Sequence, residues 1–496
     1  HTPGAGDSFI FKGGVTWDYT VWPWTLQGGG SSSSTSVGCN GGNAGGGCVY
    51  YGVDRSWFSG GSWERPIFSG GGWAAENSSC HYDQGTSGHR LVFINDSSYW
   101  IIDNLEFTAL CSASGSAPYG QGSYVNLGAS TDHFDIENSY FHGWMFPSSL
   151  TPSRSSNPSS GDYTMCIVGA SNSGSSNGQQ HGQVHDNVFD GSDATNASIL
   201  GDSSGEGMYG GPGTVFRNVF KNLTESLDPS DLITLHDNLF LNGNAMSISA
   251  GSNGAGTHEH LFNATFDECN DTIYNNVAIT VAAGEGFNPV VGSGCNEFIF
   301  NNVVTNVTMA INGAGVNTFL LGSTGTGTRY IFNNTCEGGP DGQDPTSGCY
   351  RVGDGTTNLY NNHTISSLSN GGIIAIDGGT VNQHNNVTQS QSAANGQGYS
   401  FDQAFQFSPT SGSGATAGAG TSQANVCSMI PDSEAAAACQ KDTTYAVGYD
   451  TSNHTVIVPA RTPQARSGNW DAGAYQFNGA GNQAPVPPTD IQVSVQ

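Results

Sequence analysis

The sequence predicts an all-β solenoid, a parallel β-helix with Gly/Ser-rich loop insertions and a C-terminal extension. Three observations carry this: an Asn-centred word that returns along the chain, strand-type residues after each copy, and Gly-rich connections. The word reads Asp103-Asn104-Leu105-Glu106-Phe107, Glu137-Asn138-Ser139-Tyr140-Phe141, Asp186-Asn187-Val188-Phe189, Arg217-Asn218-Val219-Phe220 and Asp237-Asn238-Leu239-Phe240. It continues at Asn275-Asn276-Val277, Asn301-Asn302-Val303, Asn333-Asn334-Thr335, Asn361-Asn362-His363 and Asn385-Asn386-Val387. Successive copies stand mostly about twenty to thirty-five residues apart, the spacing of a solenoid coil. A propeller blade needs four strands in roughly forty to fifty residues, so these repeats are too short for one.

Each copy leads into only a few β-branched or aromatic residues with period-two alternation, which makes the unit a strand. Asn tolerates left-handed backbone and can bond the Asn one layer away, so a stacked column turns the chain and staples its coils. With 496 residues, 72 Gly and only 10% charged residues, the chain has little material for long amphipathic helices. Ser433 to Cys439 is the one stretch of helical composition.

Four regions follow in order. Residues 1–90 form an N-terminal cap and first coils, with strand-like pieces at Ser8 to Lys12 and Cys48 to Val53 around a Gly/Ser-rich loop. Residues 91–389 form the parallel β-helix core, with insertions at 146–162 and 171–180. Residues 390–477 supply C-terminal coils and a cap, and 478–496 a Pro/Gly linker with a terminal alternating strand. The aromatics Trp17, Trp22, Trp24, Trp57, Trp63 and Trp73, with Tyr19, Tyr50, Tyr51 and Phe58, fit a hydrophobic cap or interface better than a sugar-stacking platform.

Eleven cysteines without zinc or cytosolic redox spacing place the chain in an oxidising compartment, secreted to the cell surface or beyond. Sequence neighbours suggest Cys39 with Cys48, Cys80 with Cys111, Cys269 with Cys295, Cys336 with Cys349, and Cys427 with Cys439; Cys166 is left over. Nothing approaches a membrane span, and no leader is visible. A net charge of -28 argues against nucleic acid and anionic membranes, and against polyanionic glycans unless cations bridge the two. Neutral polysaccharide and further copies of the chain remain as partners. Sequons, Asn222 and Asn306 among them, permit glycosylation.

The opening Gly6-Asp7-Ser8-Phe9-Ile10-Phe11-Lys12-Gly13-Gly14, the step Arg65-Pro66-Ile67-Phe68-Ser69-Gly70, the Asn words and the closing Trp470 to Phe477 resemble secreted bacterial right-handed parallel β-helix proteins. The resemblance implies export and the right-handed β-helix, and transfers no catalytic residue. Such proteins usually carry a further strand before the Gly-Asp step, so the first coil is expected to be incomplete.

Chemistry candidates are few. His236, His258 and His260, with Asp237, Glu259 and Glu268, could hold a divalent metal ion if stacking joins them; otherwise they are turn and surface histidines, and His181 and His185 read likewise. The acidic chain could also take up Ca²⁺ or another divalent cation. No other cofactor is expected. For a polysaccharide lyase, Arg217 and Lys221 would share a strand face with Asp228, Asp231 and His236 behind them. For a glycoside hydrolase, Glu206 with Asp202 or Asp228 with Asp231 would pair. The terminal strand suggests a third role. Ile491, Val493 and Val495 could add to the N-terminal coil of the next molecule and build a head-to-tail filament of a structural protein. Filament subunit is the primary expectation and carbohydrate-active protein the alternative.

Overall fold

The computed structural model describes residues 2–31, 39, 47–74, 79–82, 90–111, 122–145, 164–169, 181–194, 206–211, 213–223, 225–228, 234–242, 260–263, 269–279, 285–288, 290–305, 321–337, 349–352, 354–365, 373–376, 378–399, 407–444 and 447–477. They form two compact units. One comprises His1–Leu232, Met246–Gly256 and Asn453–Val456; the other comprises Ile233–Ala245, Thr257–Ser452 and Ile457–Gln496. Both are parallel β-helical stacks.

In the first unit every coil gives one strand to each of three parallel sheets. The first sheet runs Ser8–Phe11, Val49–Val53, Trp100–Asp103, Phe134–Glu137, Gln183–His185, Thr214–Phe216. The second runs Thr16–Trp17, Ile67–Ser69, Glu106–Thr108, Tyr140–His142, Val188–Asp190, Val219–Lys221. The third begins at Trp24–Leu26 and ends at Glu225–Asp228. The first described coil gives a strand to each of the three sheets. Its aromatics are divided: buried Phe11 meets Trp17, Trp24 and buried Phe68 edge-on, while Trp17, Tyr19 and Trp57 are exposed.

Because strand neighbours alternate faces, one residue column per sheet fills the core. In the second sheet that column is Phe107, Phe141, Phe189 and Phe220, stacked at 4.9, 4.8 and 4.9 Å. Each is buried and contributes about 1.5–3 kcal/mol.

The second unit repeats the plan. Its first sheet runs Thr234–His236, Thr272–Tyr274, Asn296–Phe300, Thr328–Phe332, Thr356–Tyr360, Thr380–His384. Here the outer column is aromatic: His236 stacks on Tyr274, Tyr274 on Phe300, and Phe300 on Phe332. The helices Ala424–Cys427 and Ser433–Cys439 cover it, with Val426, Ile430 and Ala435 packed on those rings. Asp432 caps the second of them through the Ala435 N–H.

The Asn word divides its work between two adjacent residues. Its first residue takes the left-handed turn: Asn104, Asn138, Asp186 and Arg217 in one unit, and Asp237, Asn275, Asn301, Asn333, Asn361 and Asn385 in the other. The next residue makes the ladder. Asn187 donates through its backbone and side-chain amides to Asn218 Oδ1, and the same bonds run from Asn238 through Asn276, Asn302, Asn334 and Asn362 to Asn386. Aligning Asn104 and Asn138 with Asn187 is thus wrong by one residue; Leu105 and Ser139 occupy their ladder positions. Asn-Asn doublets belong to coils whose turn is covered, because Asn301, Asn333, Asn361 and Asn385 donate to the Lys441, Asp471, Thr421 and Ala419 carbonyls.

The five expected cysteine pairs are bonded, and Cys166 is a buried free thiol. Five disulfides fit an extracellular or secreted protein. Among the described residues no helix is long and apolar enough to cross a membrane. Ile491, Val493 and Val495 lie outside the described residues, and no described residue adds to the expectation of head-to-tail assembly.

Candidate functional site

The first unit exposes chemistry on the outer face of its first sheet. Tyr51, Ile102, Ile136, Val184 and Val215 share one register column and are buried in the core, so alternation turns Tyr50, Asp103, Asp135, Glu137, Gln183 and His185 outward. The Cys39–Cys48 disulfide lies over the middle of this face, packed on Tyr50 and Ile101. Its Cys39 N–H donates to Asp135 Oδ2 at 2.9 Å. The face is thereby divided into two polar clusters.

At the carboxyl ends of the strands stands an acid cluster. Glu137 and His185 are register partners, and His185 Nε2 is 3.5 Å from Glu137 Oε2. The other ring nitrogen, Nδ1, is 2.8 Å from Asp186 Oδ2, which also accepts from Arg217 Nη2 at 2.5 Å. Asp103 accepts from the Tyr50 hydroxyl at 2.6 Å and from Asn138 Nδ2 at 2.9 Å. Burial, aided by Asp103, Asp135 and Asp186 and opposed by His185, pushes Glu137 up to about 7. Asp186 moves the other way: burial would raise it, but its bonds to His185 and Arg217 outweigh that and hold it below the usual carboxylate range. Two carboxyls joined through one imidazole are therefore driven apart, one toward the neutral acid and one toward the anion. With side chains 11% and 14% exposed, His185 and Glu137 still reach solvent.

At the amino ends of the strands Asp132, His133 and His181 converge. Asp132 Oδ2 is 3.0 Å from His133 Nδ1 and 2.8 Å from His181 Nδ1, and Oδ1 accepts from the His181 backbone N–H at 3.0 Å. The rings stack at 4.3 Å, with Tyr99 on the other side of His133 at 4.7 Å. Their ligand atoms all lie within 4.8 Å of one another, close enough to hold a metal ion. Burial keeps the His133 imidazole below its ordinary value.

The outer face of the second sheet carries a third cluster. His142 bridges Asp193 at 2.7 Å and Glu106 at 3.1 Å. Burial would lower it, but the two carboxylates raise it to about 9. Tyr140 stacks between His142 and His454. Arg65 donates to the Asn453 and His454 carbonyls, which holds that segment in place. Lys221 pairs with Asp190 at 3.2 Å and donates to Ser192.

The lyase arrangement expected from sequence is corrected by this placement. Arg217 occupies a left-handed turn while Lys221 lies on the second-sheet strand, so they share no strand face. Arg217 belongs to the acid cluster and Lys221 to the third. Asp228 ends a third-sheet strand, and Asp231 lies outside the described residues. His236 bonds Asp237 and stacks in the second unit's aromatic column, whereas His260 begins a third-sheet strand and His258 lies outside the described residues. His236 and His260 thus stand on different sheets.

Sequence reasoning missed Asp132, His133, Asp103, Glu137 and Asp186 as a group, and passed over His181 and His185 as turn or surface residues. Aligning left-handed turn residues, Asn138 with Asp186, puts His133 opposite His181 and Glu137 opposite His185. That alignment was the available signal.

No family model matches the chain, and no curated protein matches it. Solved structures that it is similar to include a PL6 family polysaccharide lyase from Pseudopedobacter saltans, with TM-score 0.38 and 11% identity over 79% of this chain and 90% of that one. An alginate lyase from Paenibacillus has TM-score 0.29 and 14% identity over 77% and 93%. A GH136 lacto-N-biosidase from Eubacterium ramulus has TM-score 0.32 and 9% identity over 79% and 63%. Likenesses this distant carry no residue roles and no activity.

Proposed function

We propose that the chain is a carbohydrate-active protein that cleaves glycosidic bonds in a neutral glycan at the acid cluster of its first unit. One observation carries the reading: Glu137, raised to about 7, stands beside Asp186, held as the anion, with His185 between them. Glycoside hydrolysis needs a carboxylic acid that is still protonated near neutral pH and a second carboxylate. Glu137 would give its proton to the leaving oxygen as water attacks the anomeric carbon, and the Asp186 carboxylate, oriented by His185 and Arg217, would take that water's proton. Asp103, fixed by Tyr50 and Asn138, supplies a further carboxylate at the same sheet edge.

Elimination from a uronate polymer is the less favourable chemistry. It requires cationic groups to neutralise the substrate carboxylate, and Arg217 is bonded to Asp186 while the chain carries -28 overall. The test is a panel of β-glucan, xylan, mannan and N-acetylated oligosaccharides set against alginate and pectate. New reducing ends from a neutral glycan, lost about 10²–10⁴-fold in Glu137→Gln, are expected. Unsaturated products from a uronate, or turnover unchanged in Glu137→Gln, would reject the assignment.

A further inference from the structure

We propose that Asp132, His133 and His181 bind a divalent transition ion of the Zn²⁺ class, at a site separate from the acid cluster. The donors are two imidazole nitrogens and one carboxylate oxygen, and the two stacked rings turn the same atom, Nδ1, toward the same Asp132 Oδ2. Imidazole-rich sets of this kind suit Zn²⁺, Co²⁺, Ni²⁺ and Cu²⁺, whereas Ca²⁺ takes six to eight oxygens.

The distances are near those a metal needs. With metal–ligand bonds of about 2.0–2.1 Å, tetrahedral geometry puts ligand atoms about 3.3 Å apart. Asp132 Oδ2 is 3.0 and 2.8 Å from the two nitrogens; because the rings lie nearly parallel at 4.3 Å, the more exposed His181 ring must also swing out of the stack before both Nδ1 lone pairs meet one ion. The surroundings hold the donors where they are. The Asp132 N–H donates to Ser98 Oγ at 3.0 Å, the His181 N–H occupies Asp132 Oδ1 and leaves Oδ2 for the metal, and the Tyr99 ring packs at a tilt against His133. Such outer contacts normally fix ligand orientation. The His181 side chain is 40% exposed, which leaves room for water or a ligand oxygen in a further position.

The test uses the full chain after chelator treatment, titrated with Co²⁺ or Zn²⁺ alone. Co²⁺ should bind at one equivalent with visible d–d bands and no thiolate charge transfer, and Zn²⁺ should displace it. His181→Ala and Asp132→Asn should remove the bands, Ser98→Ala should weaken binding about ten- to a hundredfold, and His236→Ala should change nothing. Circular dichroism of the metal-free variants checks their folding, and the wild-type spectrum stands without them. Absence of saturable Co²⁺ or Zn²⁺ binding, or bands that persist in a folded His181→Ala chain, would overturn the assignment. Ca²⁺ competing over the same concentrations would overturn the ion class. Glycan cleavage is read separately, so failure here leaves the acid cluster untouched.

Discussion

Asn302→Ala removes one rung of the second unit's ladder. Asn302 is fully buried. Its Nδ2 donates to the Ile273 and Phe300 carbonyls and to Asn334 Oδ1 at 2.9–3.1 Å, and its Oδ1 accepts from the backbone and side-chain amides of Asn276 at 3.0 Å. The substitution leaves the Asn276 N–H without its acceptor, at about 2 kcal/mol, and breaks four further bonds at roughly half a kcal/mol each or more. The expected loss is about 4 kcal/mol, a large share of the stability of an ordinary domain. Asn302→Asp should cost at least as much at neutral pH, since it sets a carboxylate against two carbonyl oxygens and removes every donation. Ser139→Ala, at the equivalent rung of the first unit, should cost less, about 2.5 kcal/mol, because Ser139 Oγ makes just two bonds, accepting from the buried Leu105 N–H and donating to Glu137 O. Urea unfolding with disulfides intact, followed by circular dichroism and by hydrogen exchange at Asn276 and Val303, reads the difference. A loss under about 1 kcal/mol for Asn302→Ala would show that the ladder does not hold the coils.

Further expectations concern titration and reactivity. His142 has its folded value raised to about 9 from an ordinary 6.5, so its stabilisation, up to about 3 kcal/mol, is fully present below pH 6.5 and lost as pH rises through 9. Asp193→Asn should flatten that slope in melting scans, and an unchanged slope would exclude His142 as its source. Glu137 is raised to about 7 from 4.5, so folding opposes its ionisation: stability declines as pH climbs from 4.5 to 7 and is level above. Glu137→Gln should therefore melt above the wild type at pH 8 and match it at pH 4; the reverse order would contradict a buried protonated acid. Cys166 is fully buried and its thiol is pushed up by burial, so an aromatic disulfide reagent should find a thiol only after denaturation. Labelling of the native chain would refute that placement.

The chain's repeat determines more of the architecture than of the chemistry. Left-handed turns and buried amide ladders are local demands that Asn meets through its own backbone and side chain, so Asn276, Asn302 and Asn334 declare the coils in sequence. The alternation after each word likewise declares the strands, and close cysteine spacing declared the pairs that are bonded. Which residues meet across coils depends on register, and a one-residue slip moves every side chain to the opposite face. Taking Asn138 rather than Ser139 as the ladder residue hid the columns that join His133 to His181 and Glu137 to His185. Arg217 and Lys221 looked like face-mates because the turn between them is visible only as a positive φ. Protonation was decided by tertiary structure as well. Glu137 and Asp186 are ordinary carboxyls in sequence, and only burial for one, with an imidazole and a guanidinium for the other, separates their affinities for a proton.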